Sequence, residues 1–247
     1  MDSTVVVALV AAAASLAVAL VTYLLGRRSE LDRERQAAAR ALNAQYLNPL
    51  RLVVVEITFR LDELAGRVQA DGDISSLKVL EEASEIRSKD PGWFVGEGCY
   101  LASTAYLTGC LFAQMFRLRD AYSYIRLPAG TSDTDLVGLV LRTNLAFLAD
   151  NGIYYALQYS IGKDMVTEDR LRSYREFCDG LVSDETLPWF EPLIRWYLEL
   201  GSGRRLDRAT QGVEALKELS RFLDRAVAGS PSLTARFAAE SRLQSRR

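Results

Sequence analysis

The chain has 247 residues, 30 basic against 32 acidic side chains, a formal net charge of −2, and no histidine. That balance excludes the basic stripe expected of a nucleic-acid binder. The missing imidazole excludes Ser-His-Asp, Cys-His and HExxH chemistry and removes the commonest metal ligand of helical bundles.

From Thr4 to Leu25 the sequence carries no charged residue, and the run closes on Gly26-Arg27-Arg28. About 20 apolar residues suffice to cross a bilayer core of ~30 Å, so the spacing predicts a transmembrane helix over 4–26 with residues 4–25 in lipid. A cleaved secretory signal fits less well, because Met1, Asp2 and Ser3 supply no basic n-region. Arg27, Arg28, Arg33, Arg35 and Arg40 follow the run and only Asp2 precedes it, which places residues 1–3 outside a bacterial plasma membrane and the rest in the cytoplasm. Cys99, Cys110 and Cys178 form no CxxC pair and no glycosylation acceptor is present, in keeping with a reducing compartment; the three read as small buried apolar groups.

Beyond the arginines, residues 27–48 are rich in helix formers and read as a juxtamembrane stalk, with a break expected near Leu47-Asn48 because Pro49 cannot donate its backbone hydrogen bond. Leu50, Val54, Ile57, Leu61, Leu64 and Val68 then alternate at spacings of four and three, the stripe of a helix packed on other helices. A shorter helix is expected around Ser76 to Arg87, and Asp90-Pro91-Gly92 marks a turn. The uncharged stretch Gly98 to Phe116 is either a second span or a helix buried on all sides. Its hydroxyls and Gln114 favour the buried helix, with Ala105, Gly109 and Ala113 allowing close approach of a neighbour.

A long helix from Leu136 to about Met165 comes next, then one opened by Thr167 and running through Phe177 to Val182. Another runs from Leu187-Pro188 to Gly201, and a last one from Leu206 to Ala228. No convincing strand is present. The expected architecture is all-α: a single transmembrane helix and a cytoplasmic bundle of about seven helices over 49–228, ending in a basic, partly disordered tail over 229–247.

Candidate sites are few. Glu56, inside an apolar stripe, is either a carboxyl with a raised pKa or, more plainly, the ion-pair partner of Arg60. Asn144, Asn151 and Gln158 are seven apart, placing three amides on one helical face that binds a ligand or sets helix register. Trp189 and Trp196, also seven apart, form with Tyr197 the best candidate recognition stripe. No cofactor or metal signature is present: Gly96-Glu97-Gly98 lacks the third glycine of a dinucleotide loop and Gly162-Lys163 lacks the upstream glycine of a phosphate loop.

These features favour a membrane-anchored, non-catalytic interaction or sensor domain that recruits or responds to a protein partner. One alternative is a membrane-active effector that self-associates through small residues such as Ala8 and Ala12. A second is a bundle enzyme working through carboxylates.

Overall fold

The computed structural model describes residues 3–121, 127, 131–148, 152–168, 170–227, 232 and 235, with side chains described from Ser15 onward except 17, 35, 39 and 42. The chain divides into two units, Met1–Ala44 and Gln45–Arg247.

The first unit is built on one helix, α1 (Ser3–Leu42). Its described apolar side chains run only from Ser15 to Leu25 before Gly26, Arg27 and Arg28. Among the described residues no helix is long and apolar enough to cross a membrane. The transmembrane helix expected over 4–26 is corrected accordingly, and with it the single-pass topology and the plasma-membrane localisation. The side chains of residues 4–14 lie outside the described residues, as do residues 1 and 2 and nearly all of the tail over 229–247.

A five-residue π-helical segment, Asn43–Leu47, precedes α2 (Asn48–Asp71). Pro49 explains its place: a proline ring crowds the carbonyl four residues back, here that of Gln45, and widening the turn relieves the clash. All six residues of the α2 stripe, Leu50 to Val68, are buried. Gly72 ends the helix in the left-handed region at φ 81°, its N–H donating to the Val68 carbonyl.

Residues 76–87 do not form the expected α-helix; they are irregular, with a 3₁₀ turn over Ala83–Ser88. Asp90 then caps the short α3 (Pro91–Val95), its carboxylate accepting from the Gly92 N–H at 2.7 Å.

The uncharged stretch forms α4 (Cys99–Ala121), the central helix of the second unit, packed against α2 and α3. It is a buried core helix. Ser132 caps α5 (Asp133–Phe147), and α6 (Tyr155–Asp164) follows. The single helix expected from Leu136 to Met165 is thus two, because Leu148 is extended and the Ile153 N–H turns back to the Phe147 carbonyl. The Asn151-Gly152 dipeptide, a turn signal, foreshadows this break.

Two two-residue strands, β1 (Val166–Thr167) and β2 (Arg170–Leu171), pair antiparallel where a helix opening at Thr167 was expected. The helix α7 (Tyr174–Leu181) begins instead at Ser173, in a capping box with Glu176 that Arg170 braces through both carboxylate oxygens. Helices α8 (Leu187–Gly201) and α9 (Leu206–Ala226) complete the unit. Helices α6, α7 and α8 pack on α4, whereas α9 packs on α2 and α5. The close α4–α6 approach comes from Gly162, where a Cβ would lie 2.6 Å from the Phe112 carbonyl oxygen. An aromatic chain of Phe112, Phe147, Trp196 and Tyr197 joins α4, α5 and α8 at centroid separations of 5.2, 5.2 and 4.9 Å.

Candidate interaction site

The tryptophan stripe splits between core and solvent. Trp196 is 2 % exposed and Trp189 52 %. Tyr197 is also buried, its hydroxyl bonded to the Thr108 hydroxyl at 2.5 Å, and burial pushes its pKa well up. The two residues are core, and Trp189, in the first turn of α8, is the one member of the trio available to a partner.

Glu56 is half-buried but does not pair with Arg60. The Arg60 guanidinium donates to the Thr104 hydroxyl at 2.7 Å and lies 4.6 Å from the Tyr100 ring centre, because α4 offers it a hydroxyl and an aromatic face. Desolvation raises the Glu56 carboxyl above the usual range, and its charge reaches the Cys110 thiol. Burial pushes Cys110 up to about 11, with the neighbouring Tyr106 hydroxyl pulling the other way. Cys178 likewise stands near 11, again through burial. At neutral pH both are protonated thiols and poor nucleophiles.

The amide row is divided by the break between α5 and α6. Gln158 is buried and donates its side-chain amide to the carbonyls of Asn144 at 3.0 Å and Ile153 at 2.7 Å, closing the turn between the two helices. Its role is to set helix register. Asn151 lies outside the described residues. Asn144 is different. It is only 5 % exposed, its side-chain amide has no hydrogen-bond partner among the described residues, and it lines a groove between α4, α5 and α6.

This groove has a volume of about 240 Å³ and largely apolar walls, including Met115, Leu118, Leu136 and Val140. It exists because α5 packs against α9 while α6 packs against α4, which leaves a channel floored by α4. On its lip stand Val137 and Leu141, and Leu145 continues their row one turn further; the three are 45, 48 and 41 % exposed at i, i+4 and i+8. At one edge the Arg119 guanidinium stacks on Tyr159, 4.5 Å from the ring centre. Sequence reasoning missed the lip residues and Arg119. The available signal was that apolar residues at 136, 137, 139, 140, 141 and 145 of α5 are too widely spread for one buried stripe.

Among the described residues no cluster of potential metal ligands occurs. No family model, no curated protein and no solved structure matches this chain. The fold and the groove define a helical domain with a partly open apolar channel bounded by one buried amide and one stacked cation.

Proposed function

We propose that the second unit is a non-catalytic interaction module that docks an amphipathic segment of a protein partner along α5, with apolar side chains entering the groove between α4, α5 and α6. The observation that carries this reading is the exposed row of Val137 and Leu141 on the lip of that groove, continued by Leu145 one turn further. Large apolar side chains exposed at helical spacing beside a channel are the receiving half of helix-in-groove recognition. Exposed Trp189 on α8 is a second apolar contact point and adds no chemistry of its own.

The test is site-specific photo-crosslinking of the full chain in its host cell, with a benzophenone amino acid replacing Leu141 and, as a control, Glu185. The expected result is a discrete adduct at 141 alone, whose partner peptide carries apolar residues at helical spacing and binds Leu141→Asp at least about tenfold more weakly than the parent chain. Identical adducts from both positions, adducts only with a second copy of this chain, or none at 141 overturn the reading.

A further inference from the structure

Asn144 and Arg119 set what the groove recognises. A buried polar side chain without a partner is uncommon, because burial strips its water and nothing repays the loss. Asn144 escapes that loss only through the groove: it is 5 % exposed, and its side chain has no hydrogen-bond partner among the described residues and is open to the space it lines. An Asn amide is held there with an acceptor and two donors on offer. Arg119 lines the same space. Its guanidinium carbon lies 4.5 Å over the Tyr159 ring centre, a contact that uses none of its N–H donors as hydrogen bonds. No ion pair to Arg119 is present among the described residues. A fixed fork of N–H donors and an amide N–H₂, set into apolar walls, match one group best: a carboxylate attached to an apolar body.

We infer that the groove between α4, α5 and α6 captures the C-terminal residue of a partner polypeptide, its apolar side chain against Leu118, Leu136 and Val140 and its terminal carboxylate between Arg119 and Asn144. The inference rests on the docking reading above and makes it specific. The lip decides between a chain end and a free small acid. A free acid within about 240 Å³ reaches Val137 and Leu141 but leaves Leu145, one turn beyond the lining, exposed, whereas the residues preceding a chain terminus extend over all three.

The proposal is tested with the full chain and four small probes: N-acetyl-leucine, its C-terminal amide, N-acetyl-valyl-alanyl-leucine, and 4-methylpentanoate. Binding is followed by nuclear magnetic resonance through the side-chain amide signal of Asn144 and, in every variant including Asn144→Leu, through the backbone amide signals of Leu141 and Leu145. The expected order has the tripeptide acid tightest, N-acetyl-leucine next, and the leucine amide weaker than its acid by about tenfold or more, the worth of one charge-assisted hydrogen bond. Arg119→Gln should erase the acid-over-amide preference, and Asn144→Leu, which removes the amide while keeping the volume, should weaken the acids and leave the amide-capped probe bound.

Equal binding of acid and amide overturns the carboxylate assignment while the docking reading stands. 4-Methylpentanoate binding as tightly as the tripeptide acid overturns the chain-end assignment in favour of a free acid. Absence of any response at Asn144 overturns the inference, and cross-linking at position 141 then decides the docking reading by itself.

Discussion

Arg51 on α2 and Asp224 on α9 meet at 2.6 Å across 173 positions of sequence, with side chains only 4 and 14 % exposed. The pair crosses the α2–α9 interface, one of the principal helix contacts of the second unit. Removing one partner from such a pair leaves the other charge short of a contact where water reaches it poorly. Asp224→Ala is expected to lower stability by about 3–5 kcal/mol, and an Arg51→Met, Asp224→Leu double variant to recover most of that loss. Urea denaturation of the three chains checks both statements, and a double variant no more stable than Asp224→Ala would show that the pair's shape, not its charge, matters.

Two glycines respond oppositely to the same substitution. At Gly138, inside α5, an added Cβ meets nothing within 4 Å, so Gly138→Ala should stabilise the chain by about 0.5–1 kcal/mol through helix propensity alone. At Gly162, inside α6, the same carbon lies 2.6 Å from the Phe112 carbonyl oxygen, and Gly162→Ala should destabilise by about 1–3 kcal/mol as α6 is pushed off α4. Thermal unfolding of both variants reads the opposite signs directly.

Cys110 and Cys178 carry an alkaline signature. Burial raises both thiols to about 11 from an ordinary value near 9.0. Between those values the unfolded chain releases protons that the folded chain keeps, so stability should be constant below pH 9 on their account and fall as pH rises from 9 to 11. Cys110→Ala should flatten that decline. At pH 8 a thiol reagent should label the folded protein far more slowly at these two positions than the urea-unfolded chain.

Glu56 gives the complementary test at acid pH. Its folded-state pKa is raised by desolvation, so the folded chain holds a proton where the unfolded chain has lost it. Stability attached to this residue is present below the ordinary carboxylate range and declines as pH climbs through the raised value. Glu56→Gln should therefore be more stable than the parent chain at pH 7, with the advantage shrinking on acidification. An unchanged or lower melting temperature at pH 7 would show that the carboxylate is held by a favourable contact.

What could be read from the residues and what could not divide along one line. Local periodicity placed α2 and α9, because a stripe such as Leu50 to Val68 has only one buried solution, while an uncharged run placed α4 and a proline start with a glycine end placed α8. The turn Asp90-Pro91-Gly92 is likewise legible, since a proline and a capping carboxylate act within a few residues. The helix expected from Leu136 to Met165 is instead two, and Asn151-Gly152 is the turn signal in the sequence that marks the division. The expected helix start at Thr167 gave way to a hairpin, whose pairing and bracing by Arg170 depend on residues up to Glu176.

The candidate site was legible only in part. Asn144 was picked for its polarity within an apolar run, and Gln158 for its spacing, yet their different fates follow from what lies opposite each amide. Gln158 finds two carbonyls; Asn144 faces a groove. Trp189 and Trp196 share a stripe in sequence, and the N-terminal turn of α8 emerging from the core separates one from the other. The sequence by itself determined that the chain is helical, without histidine, and apolar in the right places to bury most of its helices, since these depend on composition and near-neighbour spacing. Only the tertiary structure decided that α5 and α6 diverge, that Arg119 stacks on Tyr159, and that an exposed apolar row lies beside an unpartnered amide, because each depends on groups brought together from distant positions by packing on α4 and α9.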